Sequence, residues 1–274
     1  MLVLRLSDAV SSKKDMVLMM NNKALLQIAM QQSAIDLNCQ PDDFRSTQNK
    51  VVLSSENAEA RKDLDLPFFC HLVSYGINVV ASVDASIADI VDSYINKFKV
   101  GHCFETPNLY VLNDEFEKHG MQVCFMAEYF LPDLDELTLL PCDYDLKVLE
   151  PDDLTALYLP EWTNALCEDR KYLDVLAVGA YDHDKLIGLA GCSADCETMW
   201  QIGVDVLHDY RQQGIATALT SALALEIIEL EKVPFYCCAW SNLRSVRNAI
   251  KSGFKPAWVE LTTKSKAFVD QLNH

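Results

Sequence analysis

No stretch of this 274-residue chain approaches eighteen uninterrupted apolar residues, so no segment is predicted to cross a membrane as a helix. Its ten cysteines include no C-x-x-C pair and no His/Cys ladder. The closest groupings, Cys192-x-x-x-Cys196 and Cys237-Cys238, lack the spacing of a zinc knuckle. No metal site is therefore expected. The thiols read as reduced, mostly buried small residues of a cytoplasmic protein, not as a secreted disulfide framework. The first residues are apolar only briefly and are broken by Arg5 and Asp8, unlike a signal peptide. Positive charge is scarce: 23 Lys and Arg against 40 Asp and Glu leave a formal net charge of −17. That balance argues against a nucleic-acid backbone or an anionic membrane as partner. It serves solubility, and it is compatible with a cationic substrate such as an amine. A G-x-G-x-x-G fingerprint is also missing, and the elements do not alternate strictly as βαβ, which counts against a dinucleotide-binding module.

Half of the residues are hydrophobic and 23% are charged, enough apolar material for a packed core. The length suits one large domain or two ordinary ones. An acidic, proline-punctuated tract from Pro132 to Asp153 places an expected boundary near Cys142, giving domains 1–141 and 142–274. Both halves are acidic. In the first half the pattern predicts a helix from Lys13 to Leu37, a strand at Val51–Leu53 and a hairpin about Tyr75-Gly76. Helices from Asp84 to about Phe98 and from Leu109 to His119 follow, then a strand from Met121 to Leu131. In the second half a strand at Tyr144–Leu149 leads into short helices at Asp152-Asp153 and Pro160–Glu168. A hairpin comes next, Leu173–Tyr181 with Lys185–Ser193, in which small and branched residues alternate. The chain ends as strand Cys196–Val206, a long helix, strand Phe235–Trp240, helix Asn242–Ser252 and strand Gly253–Thr263. The fold class is α+β.

The stretch around which this order is arranged runs from Gln201 to Leu230. Gln201–Leu207 reads as a strand, His208–Gln213 as a polar turn, and Ile215–Leu230 as a helix, with Gly214 at the join. A loop that enters a helix leaves several backbone N–H groups without intrahelical acceptors, and the helix dipole adds partial positive charge there. Such a turn holds phosphate without needing a basic side chain.

Arg211-x-x-Gly214-x-Ala216 resembles the Arg/Gln-x-x-Gly-x-Gly/Ala signature of the GNAT superfamily of CoA-dependent N-acyltransferases. A second stretch, from Asn242 to Phe254, resembles that family's Asn-x-x-Ala/Ser-x-x-x-Tyr-x-x-x-Gly-Phe motif, with Ser245 at its small position and Gly253 at its glycine. The tract around Phe130-Leu131-Pro132 is also similar to two-part bacterial members, including the zwittermicin-resistance type. The resemblance implies a GNAT domain with a mixed, mostly antiparallel twisted sheet flanked by helices. The first half can then be read as a degenerate GNAT-like repeat or as an unrelated α/β domain. It implies acetyl-CoA as co-substrate, with its pyrophosphate on the main chain of Arg211, Gln212, Gln213, Gly214, Ile215, Ala216 and Thr217. Val204, Asn242 and Ser245 would meet the pantetheine arm, and the Val206 N–H would face the oxyanion. The implied reaction moves an acetyl group to a primary amine of a small molecule or peptide by direct attack.

Acyl transfer also needs a base for the amine and a proton for the departing thiolate. The family's tyrosine for the second task would stand at position 249, which is alanine here. Glu197 is taken as a water-linked base on the strand near the site. Cys196, His208, Tyr236 and Trp240 are the other titratable or polar groups in reach of the motifs. The missing tyrosine keeps a non-catalytic acyl-CoA sensor as an alternative.

Overall fold

The computed structural model describes residues 20–274. In chain order its elements are α1 (Asn22–Leu37), β1 (Lys50–Leu53), β2 (Cys70–Ser74), β3 (Val80–Val83), α2 (Ala88–Lys97), α3 (Thr106–Glu117), β4 (Met121–Pro132) and β5 (Asp145–Leu149). They continue as α4 (Pro151–Leu154), β6 (Asp174–Asp182), β7 (Lys185–Ser193), β8 (Met199–Val206), α5 (Ile215–Glu229), β9 (Val233–Cys238), α6 (Leu243–Lys251), β10 (Phe254–Ser265) and α7 (Lys266–Leu272). The expected α+β class, with mixed sheet and flanking helices, is what forms. The expected start of the first helix at Lys13 lies outside the described residues. Its described part begins at Asn22.

Packing divides the chain into two compact units that interleave along it. The first takes the described residues up to Ile28, then Phe130–Tyr236 and Leu243–Lys255. The second takes Ala29–Tyr129, Cys237–Asn242 and Pro256–His274. The crossings fall inside α1, β4, β9 and β10 and just before α6, so Cys142 lies well inside the first unit.

In the first unit the strand order is β9-β8-β7-β6-β5. All neighbours are antiparallel except β8 and β9, which run parallel. β6 and β7 turn over a tight connection in which His183 takes a left-handed conformation, φ 55°. The sequence of α5 carries no charge between Ile215 and Leu225, and most of its residues are buried, as for a helix covered on more than one side. It lies on the face of Gly188, where a Cβ would come within 3.0 Å of Ile215 and Leu219. Leu149, Leu154, Trp162, Leu166, Ala177 and Leu189 pack together on the opposite face. The single helix expected at Pro160–Glu168 is replaced by two 3-10 turns, Pro160–Trp162 and Glu168–Leu173.

In the second unit the order is β1-β3-β2-β10-β4, with β1 parallel to β3 and β2 antiparallel to both its neighbours. One face carries α2 and α3 over a core that includes Leu72, Val91, Ile95, Leu112, Phe116 and Leu261. The Asp84 side chain accepts from the Ser86 N–H where the chain turns toward α2. On the other face Arg61, 3% exposed, donates to the Asp36 carboxylate at 2.6 Å and to Glu260 at 2.7 Å. Glu260 also meets Trp258 Nε1 at 2.7 Å and His71 Nε2 at 3.1 Å. Trp258 stacks between Tyr75 and Tyr129. Burial alone would raise the Glu260 carboxyl, but Arg61, His71 and Trp258 outweigh it and hold the group far below the usual carboxylate range.

Arg61→Ala would leave Asp36 and Glu260 buried without their guanidinium. A loss of about 3–5 kcal/mol in urea unfolding at neutral pH is expected. Because the Glu260 carboxyl is depressed, the Arg61 contribution is present above the ordinary carboxylate range and fades as pH falls below it. The gap between wild type and variant should therefore narrow on acidification. An unchanged gap would mean that the ion pair is not what stabilises this face.

Candidate active site

β8 holds one neighbour from Gln201 to its end and loses the other part-way. Its register with β7 runs from Ser193↔Gln201 to Gly188↔Val206. Its parallel register with β9 covers only Met199↔Val233 to Ile202↔Tyr236. The Leu207 N–H donates to the Ile187 carbonyl. In an antiparallel ladder, odd-numbered residues of β8 therefore turn their amides to β7 and even-numbered ones turn away. Val204 and Val206 thus direct their N–H and C=O groups to the edge where the pairing with β9 has ended. The Val206 carbonyl accepts from Arg211 Nε at 3.0 Å.

The opposite alternation gives Gly203 and Asp205 to the other face of the sheet. Asp205 accepts from the Asn164 N–H at 2.8 Å, the Ala165 N–H at 3.0 Å and Asn164 Nδ2 at 2.6 Å. The segment after Trp162 lies so close to the strands that a Cβ on Gly203 would stand 1.8 Å from the Asn164 carbonyl oxygen. A Cβ on its cross-strand partner Gly191 would stand 2.2 Å from that of Ala165. Sequence reasoning missed this clamp. Its signal was glycine inside strands, which marks close backbone approach.

After β8 a 3-10 turn, His208–Tyr210, leads into the loop. Gln212 and Gly214 are both left-handed, with φ 64° and 82°. The first bond of α5 closes from the Ala218 N–H to the Gly214 carbonyl, so the amides of Ile215, Ala216 and Thr217 have no acceptor within the helix. Arg211 to Gly214 are exposed, and Ala216 and Thr217 half-buried. The loop is braced by Tyr144 Oη, which donates to Gln213 Oε1 at 2.9 Å, and by Tyr210 Oη, which donates to Asp182 at 2.9 Å. Left-handed turns that bunch amides at the positive end of a helix dipole form a fitted cradle for an anion.

The structure brings Val204, Val206 and the 211–217 turn together at one end of β8. It sends Glu197 elsewhere. That residue lies exposed in the bend before β8, at the strand's far end, roughly 23 Å of extended chain from Val204. Cys196 shares the bend and is buried, its Sγ 3.3 Å from the Met199 carbonyl. His208 is almost fully exposed beside Asp209. Tyr236 occupies the last paired rung of β9 and is buried, edge-on to Phe130. Ser245 is half-buried in α6, and Asn242 immediately precedes that helix, among the residues of the second unit. Ala249 is wholly buried in α6, where its neighbour Asn248 donates to Thr220 on α5 at 3.0 Å. All ten cysteines are free thiols. Among the described residues no group of His, Cys, Asp and Glu could hold a metal ion, and no helix is long and apolar enough to cross a membrane.

The sequence model of the GNAT acetyltransferase family matches residues 112–257, more than half of the chain. The chain belongs to the GNAT acetyltransferase family. It is by that membership an acyltransferase. No curated protein matches it. Among solved structures, a GCN5-related N-acetyltransferase-like protein from Streptococcus suis is 22% identical, with 57% of this chain and 68% of that one covered and a TM-score of 0.44. A GCN5-related N-acetyltransferase from Kribbella flavida is 17% identical over 59% of this chain and 65% of that one, with a TM-score of 0.44. A Drosophila protein is 12% identical over 94% and 96%, with a TM-score of 0.45. The chain spans about two thirds of the length of the first acetyltransferases it matches.

Gly203→Ala would drive a methyl into the Asn164 carbonyl and pry the 162–166 segment from Asp205. It is expected to lower unfolding free energy by about 1–3 kcal/mol, as overpacking does. A Cβ on Gly214 meets nothing within 4 Å, so Gly214→Ala carries only the left-handed backbone cost, roughly 1–2 kcal/mol. Thermal unfolding of each variant without added ligand measures both. If Gly203→Ala leaves the melting temperature unchanged, the clamp is not tight.

Proposed function

We propose that the chain transfers an acetyl group from acetyl-CoA to a primary amine by direct attack. The observation that carries this reading is the open edge of β8 at Val204 and Val206, in the same unit as the amide cradle at Gly214. Acetyl-CoA supplies the activated thioester. The amides of Gly214 to Thr217 hold its pyrophosphate, and Arg211, tied to the Val206 carbonyl, fixes the loop against the strand. The open groups of Val204 pair with the amide-bearing pantetheine arm as a neighbouring strand would. The Val206 N–H donates to the carbonyl oxygen as it becomes an oxyanion.

In the transfer the neutral amine nitrogen bonds to the thioester carbon and the carbon–sulfur bond breaks. The proton that nitrogen loses is passed through solvent to the departing thiolate, since position 249 bears no hydroxyl. The acceptor is a small molecule or a peptide amine, and no cysteine carries the acetyl group on the way.

Two measurements test this. Gly214→Asp has room for its side chain and tolerates a left-handed backbone, but sets a carboxylate over the cradle. Titration calorimetry should show acetyl-CoA bound more than tenfold less tightly, ~1.4 kcal/mol or more, with a smaller loss for the neutral Gly214→Asn. Equal affinity in folded Gly214→Asp removes the phosphate-loop role. For direct transfer, Cys196→Ala should release free CoA with an amine at the wild-type rate, and acetyl-CoA alone should leave the protein mass unchanged. A stable gain of one acetyl group on Cys196 would overturn it.

A further inference from the structure

The second unit carries a cleft of about 420 Å³ beside the α2–α3 core, whose outer residues Phe104 and Met126 line it together with Pro107, Trp240 and Glu128. The volume is that of a small-molecule pocket, roughly 300–1,000 Å³. Among the described residues its lining includes no Lys, Arg or His. Trp240 is 62% exposed, a large aromatic surface left in water at the rim. Glu128 and Met126 project from the same face of β4, two residues apart.

Glu128 is half-buried, and no hydrogen bond or ion pair to it occurs among the described residues. The other carboxylates of the lining are differently placed. Both oxygens of Glu260 are engaged by Arg61, Trp258 and His71, and Glu105 is exposed and 3.9 Å from His102. Burial, and after it the Glu128 carboxylate, push the neighbouring Cys238 thiol up to about 11, so no thiolate competes for a cation there. An unpaired carboxylate among apolar side chains gains most from a ligand that brings a positive charge and an apolar body.

We propose that this cleft is a binding site that takes a small primary amine, as its ammonium, on an aryl or alkyl body. Glu128 holds the nitrogen as a charge-assisted acceptor. Trp240, Phe104 and Met126 cover the apolar part. An amine of similar size with a hydroxylated body would strip water from its own polar groups without finding partners in this lining.

Titration calorimetry on the full chain, with 2-phenylethylamine, 2-phenylethanol and ethanolamine as probes, decides it. The amine with the aromatic body should bind at least tenfold more tightly than either of the others. Glu128→Gln and Trp240→Ala should each weaken it at least tenfold and leave acetyl-CoA affinity at the wild-type value. No binding of 2-phenylethylamine to the wild type overturns the proposal. So does equal binding of 2-phenylethanol, or wild-type affinity in both variants. Loss of acetyl-CoA binding by the wild-type chain is a different failure, since it removes the transferase reading whatever the amine does.

Discussion

A strand that keeps one neighbour and loses the other presents a row of donors and acceptors that would ordinarily be satisfied or covered. β8 is held in that state by what surrounds it. β7 fixes its register to the last residue, so the even-numbered amides cannot rotate to find partners inside the sheet. Asp205, between the two open positions, is fixed by three hydrogen bonds to residues 164 and 165. Arg211 reaches back to the Val206 carbonyl and ties the loop to the same edge. The unsatisfied edge is thus rigid, and a rigid edge can receive an extended ligand at little cost in ordering.

The electrostatics follow from the same economy of side chains. With a formal net charge of −17, the chain as a whole repels anions. The loop answers with fixed dipoles: left-handed turns at Gln212 and Gly214 and the unbonded amides that open α5. Amide donors act at contact distance and need no excess of mobile cationic side chains, so the acidic surface elsewhere does not have to be neutralised. The same acidity favours a cationic partner at any site that lacks its own lysine or arginine.

The join at Gly214 was legible because three local signals coincide there: an apolar strand, a polar turn and a charge-free run of helix formers. Gly203 and Gly191 were visible as residues but not as a clamp. Their partners lie in the segment after Trp162, which carries no periodic pattern and forms only short 3-10 turns. The position of Glu197 was not legible, because the apolar pattern does not show where a strand starts. The bend after Asp195 puts it at the end of β8 away from Val204, and a shift of a few residues along a strand is a large distance. The two units were hidden for a further reason. Their division passes through the interiors of elements, where composition does not change. Glu128 looked like any acidic residue of an amphipathic strand. Its meaning depends on the aromatic residues that long-range folding brings around it.

The ion pair between Arg61 and Glu260 joins residues 199 positions apart. During synthesis the guanidinium and Asp36 leave the ribosome long before their second carboxylate exists, by roughly 10–40 s at ordinary elongation rates. Through that interval β2 lacks the β10 strand that closes its edge, and Trp258 is not there to stack on Tyr75 and Tyr129. An open strand edge beside a half-compensated charge is a surface that chaperones recognise and other nascent chains can pair with. The part made first is therefore finished last. A stop codon anywhere ahead of residue 260 would yield a chain whose earliest-made half never closes.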